Sequence, residues 1–244
     1  MWIPLTTAKP AGLFENLHIG QISTLTFADS KTLITAGEDC VVSVYTIQST
    51  PGRVVELNHR SSLFGHKTPV SNIAVSKAFS TFVTVSQDGI AMLWDLNRLE
   101  FIRKLPLPRP VECAAIHDVT GEIMLCSGPN VLLHTLNGDL LLDQNVCGAE
   151  AHDDYVHSCA FYEGAGNEWV EESLVFTGHK RGRVNVWRKT IGRNGKWTLE
   201  FLRRLDHINP KSESGANVDA SITCITPMPH LVYTGDEDGR VVSL

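Results

Sequence analysis

The sequence lacks several features that mark particular classes of protein. Its 244 residues contain no apolar run that approaches the roughly 18 residues of a membrane-spanning helix. Acidic residues outnumber basic residues, 27 to 21, which argues against general nucleic-acid binding. Gly and Pro make up about 12% of the chain, which excludes collagen-like and low-complexity classes. What remains is an ordinary globular composition, 43% hydrophobic and 20% charged, in a chain long enough to bury a sizeable core.

Catalytic and metal-binding motifs are also missing from the sequence. No G-x-S-x-G, P-loop or H-E-x-x-H pattern occurs, so no catalytic residue, cofactor or small-molecule substrate is predicted. The six cysteines form no C-x-x-C pair and no zinc-finger spacing, so no metal site is predicted either. Most of them stand in or beside apolar, strand-like runs, which favours free core thiols in a reducing compartment. The sequence therefore predicts a protein that is not an enzyme.

Internal repetition decides the predicted fold. Four segments begin with Thr and reach a large residue ten positions later, with a polar turn between; they are residues 35–45, 84–94, 177–187 and 234–244. A degenerate fifth copy covers residues 125–134. Each copy has the pattern of two strands joined by a tight turn, a short apolar strand precedes each copy, and another follows several of them. Four-stranded repeats of this length predict an all-β propeller with about five recognisable blades.

The second repeat carries the most specific motif. Gly65-His66 precedes its first strand, and Trp94-Asp95 closes its third strand 28 residues after the histidine. This arrangement resembles the WD-repeat family. The resemblance implies a hydrogen-bonded structural tetrad, made of His66, Thr84 or Ser86, Asp88 and Trp94.

The whole chain, 1–244, is interpreted as one WD-repeat propeller region. Its repeats lie near residues 18–57, 63–105, 108–146, 150–203 and 206–244. Because the last repeat stops where its third strand ends, its outer strand is expected to be missing. WD-repeat propellers commonly have seven blades, so the resemblance implies that these five belong to a larger, seven-bladed ring. A closed ring of five blades is the alternative.

The fourth repeat departs from the family pattern and concentrates positive charge. His152, Thr177 and Trp187 keep their places, but Arg181 stands where the turn aspartate is expected. Residues 179–204 hold nine of the 21 basic residues and a single acidic residue. Two interpretations stay open: solvated hairpin turns, or a docking edge for an acidic protein or for anionic lipid headgroups. The candidate docking residues are Lys180, Arg181, Arg183, Arg188 and Lys189.

Longer stretches resemble the C-terminal propeller of BEACH-domain proteins, the group of beige, neurobeachin and the lysosomal trafficking regulator. They are residues 64–70, 94–105, 118–124 and 176–187, and the similarity is greatest to fungal members. The resemblance implies a cytoplasmic scaffold that is peripherally associated with membranes in the full-length protein. BEACH and PH-like domains would precede this segment. The scaffold would bind other proteins and act in vesicle trafficking, lysosome or vacuole function and membrane-protein sorting.

A second class of WD-repeat protein stays open as an alternative, the substrate receptors or adaptors of ubiquitin ligases. Receptors of that kind often carry Trp-Asp-x-Arg after the third strand of a blade. Here Arg98 comes four residues after Trp94, one place later than that pattern requires. The spacing therefore favours the BEACH-type scaffold.

Overall fold

The computed structural model describes residues 14–48, 56–105, 107, 109–148, 154–163, 173–193, 195–206, 220–228 and 231–244. Within these ranges the chain forms 19 β-strands in five antiparallel sheets, with a 3₁₀ turn at Lys180–Gly182. Each sheet is one blade of a propeller. The predicted all-β, five-bladed arrangement is therefore confirmed.

The strands follow one another in chain order within every blade. The first blade consists of β1 (Ile22–Phe27), β2 (Thr32–Gly37), β3 (Val42–Gln48) and β4 (Glu56–Leu63). The second consists of β5 (Val70–Ser76), β6 (Thr81–Ser86), β7 (Ala91–Asp95) and β8 (Glu100–Leu105). The third consists of β9 (Cys113–Ile116), β10 (Ile123–Ser127), β11 (Asn130–His134) and β12 (Leu140–Asn145). The fourth consists of β13 (Val156–Glu163), β14 (Ser173–His179), β15 (Arg183–Ile191) and β16 (Trp197–Asp206). The fifth has three described strands, β17 (Ile222–Pro227), β18 (Val232–Asp236) and β19 (Val241–Ser243).

The hydrophobic core lies between blades rather than inside one of them. Every residue of β6 is buried, whereas most of β8 is exposed, because the middle strands have neighbouring blades on both faces. Four apolar clusters join the first blade to the second, the second to the third, the third to the fourth and the fourth to the fifth. The inner strands β1, β5, β9, β13 and β17 contact one another in this order. The expectation of a larger, seven-bladed ring stays a prediction.

The repeated threonines occupy equivalent positions in four blades. In each blade the threonine of the second strand pairs with the residue eight positions later in the third strand. The pairs are Thr35 with Ser43, Thr84 with Met92, Thr177 with Asn185 and Thr234 with Val242. The turn between these strands needs a positive φ, which Gly89 supplies at +77°. Cys40 adopts φ +62° at the same place in the first blade.

A bulge recurs between the third and outer strands, where the repeats end in an aromatic residue. Trp94 pairs with Phe101 and Leu93 with Arg103, so one residue of the outer strand is left over. The bulge sets the outer-strand aromatic ring edge-on to the tryptophan, with ring centres 5.6 Å apart. The same shift occurs at Tyr45, at Trp187 and, in the degenerate third blade, at His134.

Side chains bridge the backbones of neighbouring inner strands. Ser158 in β13 donates its hydroxyl to the carbonyl of Ile222 in β17 at 2.8 Å. The amide of Ala114 in β9 donates to the Asn72 side chain in β5 at 3.3 Å, and Ser23 in β1 donates to the Val70 carbonyl. These contacts satisfy backbone groups that an inner strand would otherwise leave unpaired.

Two outer strands extend past the predicted repeat ends. The first repeat is predicted to end near residue 57, but β4 continues to Leu63. Its polar sequence does not show a clear strand pattern, because half of its residues are exposed. The outer strand of the fourth blade continues to Asp206, three residues beyond the predicted boundary.

Candidate functional site

The structure brings the five residues assigned to the second-blade tetrad into one hydrogen-bonded chain. Trp94 donates its Nε1–H to Thr84 Oγ1 at 2.8 Å, and Thr84 Oγ1 lies 2.7 Å from His66 Nε2. His66 Nδ1 lies 2.9 Å from Ser86 Oγ, which donates to Asp88 Oδ1 at 2.6 Å. Ser86 therefore stands between the histidine and the aspartate. A neutral ring protonated on Nδ1 satisfies every donor and acceptor in this order.

The environment keeps the second-blade histidine neutral. Burial lowers the pKa of His66, and the Asp88 carboxylate offsets part of this effect. Burial alone would raise the pKa of Asp88, but hydrogen bonds from Ser86, Ile90 and Thr68 hold it below its ordinary value. The network thus ties the turn to the second and third strands. Because its histidine stays neutral and its aspartate stays ionised, the network fits a structural role.

The first blade contains an equivalent network that the sequence reasoning missed. His18 Nε2 lies 2.7 Å from Thr35 Oγ1, and His18 Nδ1 lies 2.9 Å from Asp39 Oδ2. Tyr45 takes the tryptophan position and donates its hydroxyl to the Leu17 carbonyl at 3.1 Å. The signal was present, since the aspartate follows the threonine by four residues here and in the second blade.

The fourth blade builds its network around a different histidine. His179, at the end of β14, is completely buried and places Nε2 2.8 Å from Thr177 Oγ1. Trp187 donates its Nε1–H to that oxygen at 2.9 Å. His179 Nδ1 lies 3.5 Å from both Asp154 Oδ2 and Cys147 Sγ. His152, which the sequence pattern assigned to this network, lies outside the described residues.

The group of Cys147, Asp154 and His179 offers sulfur, oxygen and nitrogen ligand atoms within 4.8 Å of one another. Arg183 would compete with a metal ion for this group, because its guanidinium lies 3.9 Å from Asp154 Oδ2. Burial and the negative charge of Asp154 raise the pKa of the Cys147 thiol to about 12, so this sulfur stays protonated. The contacts favour an internal ion-pair cluster over a metal centre.

The candidate docking residues of the fourth blade do not share one environment. Lys180 is exposed, Arg188 is half-buried, and Arg183 is turned towards Asp154. Lys189 is poorly placed for docking, because its ammonium contacts the Glu122 carboxylate of the third blade and lies 4.6 Å above the Trp197 ring. The side chain of Arg181 lies outside the described structure.

The outer strand of the fourth blade carries basic and apolar residues that were not among the predicted docking residues. Arg203 and Arg204 are exposed in β16, next to Phe201 and Leu202, which are 50% and 37% exposed. These four residues, with the exposed Lys180 of the turn between β14 and β15, are called the positive outer edge below. Both arginines belong to the basic segment 179–204 of the sequence, and the structure shows that both are exposed.

Comparison with known proteins supports the repeat and then the family. The family described as WD domain, G-beta repeat matches residues 57–95. The crystal structure of the computationally designed Ika4 protein matches with a TM-score of 0.53 and 19% identity, over 75% of this chain and 94% of that one. At that identity the likeness shows the fold alone.

Curated relatives are similar over much more of the sequence. Beige protein homolog 1 of Schizosaccharomyces pombe is 27% identical over 96% of this chain and 10% of its own length. BEACH domain-containing protein A2 of Arabidopsis thaliana is 33% identical over 71% of this chain and 5% of its own. The chain is homologous to the WD-repeat segment of BEACH proteins. The human lysosomal-trafficking regulator is 26% identical over 96% of this chain and 6% of its own length.

The BEACH-protein relatives are far longer than the segment they share with this chain, which spans about a tenth of their length or less. No helix in the described ranges is long and apolar enough to cross a membrane. The shared segment is the propeller itself, so the similarity bears on this fold and its surfaces.

Proposed function

We propose that this propeller is a non-enzymatic protein-interaction platform of a BEACH-type scaffold. The scaffold acts in vesicle trafficking, lysosome or vacuole function and membrane-protein sorting. The observation that carries the proposal is the similarity to BEACH proteins over nearly the whole chain, including one named a lysosomal-trafficking regulator. BEACH and PH-like domains would accompany the propeller in the full-length cytoplasmic protein, which associates peripherally with membranes.

The geometry of the buried histidines supports a binding role. His66 and His179 are both buried and committed to hydrogen bonds with threonines of their own blades. Their networks stabilise blades and so present rigid surface loops and outer strands to partners. A scaffold needs such rigid surfaces because a preorganised surface loses little entropy on binding.

The positive outer edge is the proposed docking surface. Its exposed Arg203 and Arg204 supply charge, and the neighbouring Phe201 and Leu202 supply apolar area. This combination suits an acidic protein segment with apolar side chains, because interfaces combine an apolar centre with a polar rim. The remainder of the chain is acidic overall, which helps to orient an acidic partner towards this edge.

The test is charge reversal on the tagged, full-length protein in its own cells. A variant with Lys180, Arg203 and Arg204 changed to Glu should lose partners in affinity capture and delay the sorting of membrane-protein cargo. Loss should be greatest at low salt, because the Debye length is about 10 Å at 0.1 M and shorter at higher salt.

A matched control reverses three exposed basic residues of the second blade, Lys77, Arg98 and Lys104. This control should keep the partners and the sorting rate. Equal partner binding by both variants would contradict the docking surface. If the first variant instead loses binding to vesicles containing phosphatidylserine and keeps its protein partners, the edge binds anionic lipid rather than protein.

A further inference from the structure

Three cysteines that are far apart in the sequence meet where the third and fourth blades adjoin. Cys113 in β9 and Cys126 in β10 are direct cross-strand partners in the third blade. Cys159 reaches them from β13, the inner strand of the fourth blade. The three sulfur atoms all lie within 4.8 Å of one another. The motif rules could not detect this group, because its members come from three strands rather than one loop.

The separation of the sulfur atoms suits a thiophilic metal ion. Three thiolates at the usual zinc–sulfur distance of about 2.3 Å stand about 3.8 to 4.0 Å from one another. Small rotations of the cysteine side chains therefore suffice to bring all three sulfurs onto one ion. Cys113 and Cys126 are buried to 4% and 0% exposure, so the strands around them already hold two of the ligands in place.

Two of the three sulfurs belong to buried side chains, so a thiolate there is costly without a nearby positive charge. A bound cation would supply that charge.

A pocket gives an ion access to the cluster. It has a volume of about 160 Å³ and is lined by residues of the inner strands β5, β9, β13 and β17, including Cys113 and Cys159. We call it the channel pocket. Cys159 is half-buried and faces the pocket, whereas Cys126 lies behind it. An ion entering from the pocket would meet Cys113 and Cys159 and keep one coordination position open to the pocket.

We propose that Cys113, Cys126 and Cys159 bind one Zn²⁺ ion as three thiolates and thereby join the third blade to the fourth. Soft thiolate ligands select zinc or copper(I). Three thiolates with Zn²⁺ leave one net negative charge, whereas the same ligands with Cu⁺ leave two. The smaller residual charge is less costly to bury, and the thiol protons leave to solvent when the ion binds.

The test uses the complete 244-residue chain, reduced, stripped of metal and titrated with Zn²⁺ against a chromophoric chelator. We expect one zinc ion per chain and a higher Tm in the zinc-bound protein, because the ion binds the folded state. With Co²⁺ in place of zinc, the chain should show sulfur-to-metal charge-transfer absorption. Zinc should also slow alkylation of Cys159 while leaving Cys40 and Cys224 unchanged.

Two serine variants form a matched pair. Cys159→Ser should lose at least about tenfold in zinc affinity together with the Tm increase, whereas Cys224→Ser should keep both. Cys224 lines the same pocket but is not part of the cluster, so it controls for non-specific thiol binding. Circular dichroism of each metal-free variant checks that it folds, and alkylation mapping of the unmodified chain gives an answer that needs no variant.

Three results would overturn the proposal. One is the absence of stoichiometric zinc binding by the folded, reduced chain. Another is zinc binding that survives in Cys159→Ser with its affinity unchanged. The third is tight binding of Cu⁺ without binding of Zn²⁺, which would reverse the assignment of the metal.

Discussion

The second and fourth blades each bond a buried histidine to the threonine of the second strand, but the two histidines come from different places in the chain. In both, a tryptophan donates to the oxygen of a strand threonine, at 2.8 Å in one and 2.9 Å in the other. In both, an outer-strand phenylalanine meets that tryptophan edge-on. However, His66 precedes the inner strand, whereas His179 ends the second strand. The threonine–tryptophan pair therefore defines the blade, and the histidine can be supplied from more than one place in the chain.

The two networks also differ in charge. The second blade passes hydrogen bonds outwards to Asp88, which sits exposed in a turn. The fourth blade instead encloses His179 with Asp154, and Arg183 stands behind that carboxylate. A buried charged group needs a partner that stays in place. The fourth blade should therefore depend on specific charged contacts more than the second does.

Removing the tryptophan should produce the largest loss of stability. Trp94 is 2% exposed and packs between Phe82 and Phe101, so Trp94→Ala should cost about 3–5 kcal/mol in the free energy of unfolding. Urea denaturation measures this loss. Ile102→Ala, at an exposed outer-strand position, should cost less than about 1 kcal/mol. Equal losses in the two variants would mean that the tryptophan does not anchor the blade.

Breaking the ion pair between the third and fourth blades should cause the next largest loss of stability. Lys189 and Glu122 have side chains 8% and 11% exposed, so Lys189→Met should cost about 3 kcal/mol by leaving the carboxylate without its cation. Adding Glu122→Gln should recover part of that loss, which a double-mutant cycle in urea would measure. Lys180→Met, an exposed substitution in the same blade, should stay within about 0.5 kcal/mol of the parent. A small effect of Lys189→Met would mean that its ion pair with Glu122 does not stabilise the fold.

Replacing each of the two histidines should show which of the two blades depends more on its histidine for stability. His179→Phe keeps the volume but removes the partner of Thr177 and Asp154, and should cost about 1–3 kcal/mol. His66→Phe should cost less, because Ser86 still donates to Asp88. Thermal unfolding of the two variants side by side gives the order. The opposite order would show that the extra charge of the fourth blade does not add to its dependence on histidine.

The smallest effect should appear as a pH dependence of stability. Burial lowers the pKa of His66 below its ordinary 6.5, so the unfolded chain takes up a proton at a higher pH than the folded chain does. The contribution of His66 is therefore complete above pH 6.5 and is lost as the pH falls, by at most about 1.4 kcal/mol per pH unit. Unfolding curves of the parent and of His66→Asn at several pH values should diverge at higher pH and converge at lower pH. Parallel curves would contradict the depressed pKa.

The sequence was sufficient for the fold and the family, because repeated threonines, turn residues and tryptophans are local signals. It was less informative about contacts between blades. His179 was missed since it enters its network from a second strand, where no family motif places a histidine. The contact of Lys189 with Glu122 joins residues of different blades, and a count of local charge cannot detect such a pairing. The three clustered cysteines depend in the same way on how the third blade packs against the fourth.

The bridges between inner strands have a consequence for association. An inner strand is one edge of its sheet, and an unpaired edge is a template for adding a foreign strand. Bonds such as those of Ser158 to the Ile222 carbonyl and of Ala114 to Asn72 occupy part of that template. The amide hydrogen of Ala114 should consequently exchange slowly with solvent, although it belongs to an edge. The polar side chains that bridge neighbouring inner strands thus oppose the pairing of a foreign strand with these edges, in addition to holding the blades together.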